Sequence, residues 1–147
     1  MDTSYNNNTI LFVDDEEKTR KYFSRLFDEK FKILLASDGL QALEVFKENM
    51  EDIAVVVTDQ RMPNMTGSQL LEKVSELKPS CIRILSTAYS DIDAAIEAVN
   101  NGGMYQYITK PWEVNDLEVA LMRAAELYGL QKERDSLLRQ KLSTVEM

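Results

Sequence analysis

The chain has 147 residues, of which 44% are hydrophobic and 29% are charged, and its formal net charge is −8. This composition is typical of one globular domain with room for an additional element, and it excludes a disordered chain. The negative charge argues against nucleic-acid binding by this segment. Because the chain contains no histidine, histidine-ligated zinc and Ser-His catalysis are also excluded.

The sequence contains no signal for export or for membrane insertion. No apolar run approaches the roughly 20 residues that a membrane-spanning helix needs. The first eight residues, rich in Asn, lack the basic region and apolar core of a secretory signal. Cys81 is the single cysteine and is expected to be half-buried just before a strand. These features predict a protein of the reducing cytoplasm that does not bind a membrane.

Short apolar segments alternate with amphipathic segments along the whole chain. The apolar segments predict strands over residues 10–13, 31–36, 53–57, 82–85 and 105–108. Apolar residues spaced at i, i+3 and i+4 predict helices over residues 17–29, 40–50, 68–78 and 91–101, and a last helix over 114–142. Strands that alternate with helices favour an α/β fold, in which a doubly wound parallel sheet of five strands carries helices on both faces.

Chemically active side chains follow four of the predicted strands. Asp14 and Asp15 follow the first strand, Asp59 the third and Thr87 the fourth, while Lys110 follows the fifth. In an open parallel sheet, ligands bind beyond the carboxyl ends of the strands. Three carboxylates, one hydroxyl and one lysine at that edge indicate a site for a magnesium ion and a phosphoryl group.

From residue 9 to about residue 127, the order and spacing of these groups resemble a receiver domain of a two-component response regulator. The resemblance implies a flavodoxin-like strand order 2-1-3-4-5. It divides the chain into a disordered N-terminal segment (1–8), a receiver domain (9–127) and a C-terminal helical extension (128–147). The run from Gln60 to Pro63, together with Lys110-Pro111-Trp112, is similar to a Lys-Pro-Trp subgroup of receivers that is attached to varied outputs.

The resemblance also assigns the acceptor and the metal ligands. Asp59 is the expected phosphoacceptor, a carboxylate nucleophile that forms an acyl phosphate. Mg²⁺ is the expected cofactor, with Asp15 as a direct ligand and Asp14 as a ligand through water. Asp59 and the backbone carbonyl of Arg61 complete the expected protein ligands.

The same resemblance assigns the groups around the acceptor. Lys110 is expected to pair with Asp59 at rest and with the phosphoryl group afterwards, and its bond to Pro111 is expected to be cis. Thr87 is expected to bind the phosphoryl group, and Tyr107 to swing inward when Thr87 moves. Side chains at Arg61 and Tyr89 are expected to flank the entrance for water and to tune the lifetime of the acyl phosphate.

The function implied is a switch in two-component signal transduction. A sensor kinase or phosphotransfer protein donates a phosphoryl group from its phosphohistidine, and the surface of the fourth helix, fifth strand and fifth helix then controls an output domain or partner. The chain would catalyse only its own phosphorylation and dephosphorylation. The alternative is a pseudo-receiver, a protein-binding module that is never phosphorylated. An Asp-dependent phosphatase is disfavoured because Arg61 stands where that class has a second carboxylate, and no Gly-x-Gly-x-x-Gly follows the first strand to indicate a dinucleotide site.

Two features leave alternatives open. The last helix extends beyond what one small domain needs, so its overhang is a coiled coil that joins two protomers, a connector towards an output beyond this segment, or a solvated end that frays. Trp112 is either an exposed anchor for a partner or a side chain packed over the start of the last helix.

Overall fold

The computed structural model of the protein describes residues 8–93, 96 and 106–146. The elements in chain order are β1 (Thr9–Val13), α1 (Glu17–Phe27), β2 (Lys32–Ala36), α2 (Gly39–Glu48), β3 (Ile53–Asp59), α3 (Gly67–Leu77), β4 (Ile82–Ala88), a 3-10 turn (Tyr89–Asp91), β5 (Gln106–Lys110) and a C-terminal helix (Val114–Glu146). The N-terminal segment predicted to be disordered, apart from its last residue, and most of the helix predicted over residues 91–101 lie outside the described residues.

The five strands form one parallel sheet in the order β2-β1-β3-β4-β5, which confirms the predicted fold class and topology. Strand order reverses direction at β1, so the carboxyl ends of β1 and β3 lie beside each other at the centre of the sheet. In register, Val13 of β1 pairs with Thr58 of β3, and Asp59 pairs with Ser86 of β4. The topology therefore brings residues far apart in the sequence to one edge.

Two apolar layers enclose the sheet. Alternate residues of the central strands face opposite layers, because side chains along a strand alternate between its faces. The first layer packs α1 and the C-terminal helix on the sheet through fully buried residues such as Phe12, Phe23 and Leu121. The second layer packs α2 and α3 on the other face, through residues such as Phe46 and Leu70. Both faces are thus covered, as the continuous apolar strands require.

Polar residues at the carboxyl ends of β3 and β4 belong to the strands themselves. From the apolar runs, β3 was predicted to end at Val57 and β4 at Leu85. The strands instead continue through Asp59 and Ala88, respectively. Main-chain pairing between neighbouring strands does not depend on side-chain polarity, so it extends beyond the apolar run. The acceptor candidate is consequently held by sheet hydrogen bonding, and Thr58 before it is fully buried.

The C-terminal helix runs without a break through Gly129 to Glu146. Among the helix residues up to 142, whose side chains are described, Tyr128 is the last buried one; it packs in the first apolar layer, one residue beyond the predicted domain boundary. The Lys78 ammonium fastens this point, because it donates to the carbonyls of Met50 at 2.6 Å and Ile53 at 2.8 Å and to the Tyr128 hydroxyl at 3.0 Å. Across the described part of the chain, no helix is long and apolar enough to cross a membrane.

Cys81 differs from its predicted environment. The side chain was expected to be half-buried, but it is 1% exposed and packs in the second apolar layer. Burial raises the pKa of the Cys81 thiol to about 12, which keeps the thiol protonated at neutral pH. The residue therefore serves as a core side chain.

Candidate functional site

Three carboxylates converge where β1 and β3 end. Asp14 and Asp15 directly follow β1, Asp59 is the last residue of β3, and one oxygen from each lies within 4.8 Å of the others. Asp14 is fully buried, Asp15 is exposed and the side chain of Asp59 is 15% exposed. The predicted grouping of these residues is thus found at the carboxyl edge of the sheet.

Hydrogen bonds to both its side chain and its backbone position the buried Asp14. Its Oδ1 accepts a hydrogen bond of 2.9 Å from the backbone N–H of Glu16, and its own backbone N–H donates to the Ala36 carbonyl. Its carbonyl accepts from Arg20 Nη1 at 2.8 Å. These contacts fix the carboxylate beside the start of α1 and leave Oδ2 directed at the site.

Lys110, at the end of β5, joins two of the carboxylates. Its Nζ lies 2.8 Å from Asp14 Oδ2 and 3.5 Å from Asp59 Oδ2. The expected pairing with Asp59 is present, but the contact with Asp14 is closer. Burial opposes the charge on Lys110, yet the two carboxylates outweigh burial and raise the pKa of the ammonium above its ordinary value. The lysine therefore remains cationic over the whole physiological range.

Asp59 has the opposite electrostatic balance. Burial is the largest influence on its pKa and raises it, Lys110 lowers it, and the nearby Asp14 carboxylate raises it again. The net pKa of Asp59 is above its ordinary value because burial, together with the repulsion from Asp14, outweighs the attraction of Lys110. The charged form of Asp59 is therefore the costly one in the isolated domain, and a cation at the site would favour it.

The donor set fits a hard divalent cation. Three carboxylates within one coordination sphere supply the oxygen ligands that Mg²⁺ prefers, and one lysine does not neutralise them. Asp15 is exposed and makes no ion pair within the described part of the chain, so its carboxylate is available as a ligand. The backbone carbonyl of Arg61 lies in the loop directly after Asp59.

The loop after Asp59 is fastened at both sides. The Gln60 backbone N–H donates to Asp59 Oδ1 at 2.9 Å, while the Gln60 side chain accepts from the backbone and hydroxyl of Ser68 at the start of α3. Arg61 makes a two-point ion pair with Asp91, with both N–O distances 2.7 Å. Sequence reasoning identified Arg61 but not Asp91, because nothing in the spacing links residues 30 positions apart.

Gly67 is a site residue that sequence reasoning missed. A β-carbon built at this position would lie 2.2 Å from the carbonyl oxygen of Asp59 and 2.8 Å from Leu85 Cδ1. The backbone of α3 thus approaches the acceptor residue more closely than any side chain permits. A glycine after a Met-Pro loop is an ordinary turn signal, so this close contact only becomes visible in three dimensions.

The predicted switch residues lie on β4 and β5. Thr87 is fully buried, and within the described part of the chain its hydroxyl makes only a weak contact of 3.4 Å with the Ala88 carbonyl. Tyr107 is half-buried beside the second apolar layer, and it pairs in register with Leu85. The main chain of Tyr89 begins the 3-10 turn, and its side chain lies outside what the structure describes.

Two expectations about the end of β5 can be compared with the structure. The Lys110–Pro111 peptide bond is cis, as the resemblance implied. Trp112 is half-buried and packs on the first apolar layer, where its ring meets Phe12 edge-on at 5.6 Å. Trp112 is thus packed, but its ring contacts are with β1 and α1, whereas the prediction placed it over the start of the last helix.

Comparison with known proteins places this geometry in one family. The family model for the response regulator receiver domain matches residues 10–122. The hydrogenase transcriptional regulatory protein HoxA of Bradyrhizobium diazoefficiens is 36% identical over 128 residues, which are 87% of this chain and 26% of HoxA. The regulatory protein AtoC of Escherichia coli is 36% identical over 138 residues, covering 93% of this chain and 29% of AtoC. The chain therefore spans about a quarter of the length of these curated relatives.

Solved structures agree with the sequence relatives. A response regulator receiver domain protein from Clostridium thermocellum superposes with a TM-score of 0.80 at 31% identity, covering 84% of this chain and 98% of that one. The signal receiver domain of an HD domain-containing protein from Pseudomonas fluorescens gives a TM-score of 0.81 at 30% identity, with 88% and 94% coverage.

Proposed function

This chain belongs to the response regulator receiver domain family, and we propose that Asp59 is its phosphoacceptor in a Mg²⁺-dependent reaction. One observation carries the proposal: the Lys110 ammonium bridges Asp14 and Asp59 while Asp15 completes a group of three carboxylates. Phosphoryl transfer to a carboxylate requires positive charge around it, because the carboxylate and the phosphoryl group are both anionic. Lys110 and a group of metal-binding carboxylates supply that charge at the end of β3.

The residues have distinct parts in the proposed transfer. An Asp59 carboxylate oxygen attacks phosphorus, the new O–P bond forms, and the bond to the donor breaks with the electron pair leaving on the donor. Lys110, already 3.5 Å from Asp59 Oδ2, is placed to bind a phosphoryl oxygen. Thr87 is free to donate its hydroxyl, because its contact with Ala88 is weak. Bound through Asp14, Asp15, Asp59 and the Arg61 carbonyl, Mg²⁺ would neutralise the charge that gathers as two anions meet.

The source of the phosphoryl group lies outside this chain. The sequence contains no histidine, so a phosphohistidine donor lies outside these 147 residues, and we propose that it belongs to a sensor kinase or phosphotransfer protein. Catalysis here is confined to the phosphorylation and dephosphorylation of Asp59 itself. The supporting observation is that Arg61, bound to Asp91, occupies the position where an acid or base for other substrates would stand.

We also propose how the chain is organised for signalling. Residues 9–127, together with the buried Tyr128, form the receiver, and the rest of the C-terminal helix extends it towards an output domain or a second protomer. Leu130, Leu137 and Leu142 are 64%, 58% and 62% exposed, which supports a covering partner for the extension. Phosphorylation is proposed to alter the surface around Tyr107 through Thr87. We place the protein in the cytoplasm, bound neither to a membrane nor, through this segment, to nucleic acid.

Intact-mass measurement tests the proposal. The chain is incubated with Mg²⁺ and a small acyl-phosphate donor, beside Asp59→Asn and beside a sample with EDTA. We expect the gain of one phosphoryl group in the wild type only, and only with Mg²⁺. Asp38→Asn is a matched control that removes a capping carboxylate outside the site and should still be phosphorylated. No gain in the wild type, or an equal gain in Asp59→Asn, would favour the pseudo-receiver instead.

A further inference from the structure

A hydrogen bond joins the buried end of β4 to a surface aromatic ring. The indole N–H of Trp112 donates to Ser86 Oγ at 3.0 Å. Ser86 is fully buried on β4, directly before the proposed switch residue Thr87, whereas Trp112 is half-buried. A displacement of the β4 backbone at this point therefore acts directly on the ring of Trp112.

Ser86 and Thr87 face opposite layers of the molecule. Ile84, two residues before Ser86, packs in the first apolar layer with Phe12, while Leu85, two residues before Thr87, packs in the second. Side chains two apart on a strand share a face. The proposed Thr87–Tyr107 switch consequently operates on the α2 and α3 side, and the Ser86–Trp112 bond lies on the side of α1 and the C-terminal helix.

Ser86 is also tied to the acceptor. Its backbone pairs in register with Asp59, and its carbonyl accepts a hydrogen bond of 3.2 Å from the N–H of Gln60. Among the described residues, by contrast, the Thr87 hydroxyl makes only the weak contact with the Ala88 carbonyl. When the hydroxyl of Thr87 moves to a phosphoryl group on Asp59, any accompanying shift of the β4 main chain displaces Ser86, because one peptide bond joins the two residues.

The ring of Trp112 leads from this bond to the surface. It stacks against Tyr22 with the ring centroids 6.4 Å apart and the planes 7° from parallel, and Tyr22 is 45% exposed. The Lys110 ammonium lies 5.8 Å from the centroid of the Trp112 ring. Tyr22 lies on α1 and Trp112 follows β5, so this stack emerges only from the fold.

We propose that the Ser86–Trp112 hydrogen bond carries the phosphorylation state of Asp59 to a second surface, made by Tyr22 and Trp112 on the side of the sheet opposite Tyr107. The inference rests on the proposed phosphorylation of Asp59. It assigns Ser86 and Trp112 as positioning residues that respond to the site without contacting the phosphoryl group. One modification would then change both faces of the domain, because two adjacent residues of β4 face opposite layers.

The single tryptophan makes the proposal directly measurable. The chain is kept with Mg²⁺ and excess acyl-phosphate donor, and the fluorescence of Trp112 is followed beside intact mass, with Mg²⁺ alone as the reference. We expect a phosphorylation-dependent change in emission that Ser86→Ala greatly reduces at the same phosphorylated fraction. A hydrogen bond of ordinary net strength changes a two-state equilibrium by about fivefold, so its loss is detectable. Ser75→Ala, on α3 in the other layer, is the matched control and should respond like the wild type.

A second measurement needs no substitution, so it holds even if Ser86→Ala fails to fold. The indole N–H of Trp112 gives one nuclear magnetic resonance signal, which should shift and exchange faster with water after phosphorylation. An unchanged indole signal in protein shown by mass to be phosphorylated would overturn the inference, and so would a full fluorescence response in Ser86→Ala. If no phosphoryl group is gained at all, the proposed function itself fails, and the mass measurement separates the two cases.

Discussion

Replacing Asp59 with Asn is expected to stabilise the fold at neutral pH in the absence of divalent cations, although it removes the proposed acceptor. The Asp59 side chain is 15% exposed and shares Lys110 with Asp14. Asn fills nearly the same space and can still accept the hydrogen bond that the Gln60 N–H donates to Asp59 Oδ1. The substitution therefore changes chiefly the charge.

The contacts of Asp59 determine the sign and size of the effect. At an effective dielectric constant of about 20, the Lys110 contact at 3.5 Å gives about 5 kcal/mol of attraction. Repulsion from Asp14, at no more than 4.8 Å, gives at least about 3 kcal/mol, and Asp15 adds to it. Attraction and repulsion nearly cancel, so the loss of hydration decides, and it is the largest influence on the raised pKa of Asp59. We expect a gain of about 1 kcal/mol in the free energy of unfolding, the usual size of a stabilising substitution.

Urea unfolding over a pH series checks this prediction. Because the pKa of Asp59 is higher in the folded chain than in the unfolded chain, the folded wild type binds the proton more tightly. Its stability falls as pH rises from about 4, the ordinary value for Asp, through the folded pKa. Asp59→Asn lacks this loss, so its advantage should be absent in acid, grow through that window and then remain constant.

Adding Mg²⁺ should reverse the stability difference between Asp59→Asn and the wild type, and substitution of an exposed carboxylate serves as the control. The proposed binding of Mg²⁺ to the native wild type would stabilise it, so the order of stability should reverse when the cation is added. Asp52→Asn removes an exposed carboxylate from the opposite edge of the sheet and should change neither the stability nor its response to Mg²⁺. The reasoning is refuted if Asp59→Asn is less stable than the wild type at pH 7 in EDTA, or if its advantage does not vary with pH.

Three further substitutions test the packing at the site and along the C-terminal helix. Gly67→Ala should lower the free energy of unfolding by about 1–3 kcal/mol by overpacking, because its β-carbon would lie 2.2 Å from the Asp59 carbonyl oxygen. The same displacement of the acceptor should slow phosphorylation. A normal free energy in urea unfolding and a normal phosphorylation rate by intact mass would contradict the close contact. Gly129→Ala has nothing within 4 Å of its β-carbon and should stabilise the C-terminal helix by about 1 kcal/mol. The thermal unfolding midpoint should therefore rise, and a lower midpoint would contradict the prediction. Lys78→Met should cost about 2 kcal/mol in urea unfolding because it removes hydrogen bonds of a charged donor, and an equal loss in the exposed Lys73→Met would show that the bonds are not responsible.

The strand and helix pattern was predictable because it follows from local periodicity. Segments such as residues 53–57 are apolar throughout and cannot be stable unless both faces are covered, which already requires a parallel sheet between helices. The ends of β3 and β4 were less predictable, since pairing with a neighbouring strand carries Asp59 and Ala88 into the ladder although the apolar run has ended. The pattern of apolar residues within one segment does not indicate which strand will pair with it.

The candidate site shows the same division. Asp14, Asp59 and Lys110 could be named in advance, because each follows a strand and parallel strands end at one edge. The closer contact of Lys110 with Asp14, and the close approach of Gly67 to the acceptor backbone, had no signal in the sequence. Both depend on distances of a few tenths of an ångström, which are decided by how α1, α3 and β5 pack on the sheet.

The sequence by itself determined the family, the strand order implied by it, and the set of residues that carry charge to the carboxyl edge of the sheet. It could do so because periodicity and motif order are properties of the chain. Only the tertiary structure decided which side chains of that set touch, that Asp91 binds Arg61, and that Trp112 turns inward to Ser86. These contacts join residues about 26 to 96 positions apart. Their geometry is settled by the packing of separate elements against one sheet, which no local segment encodes.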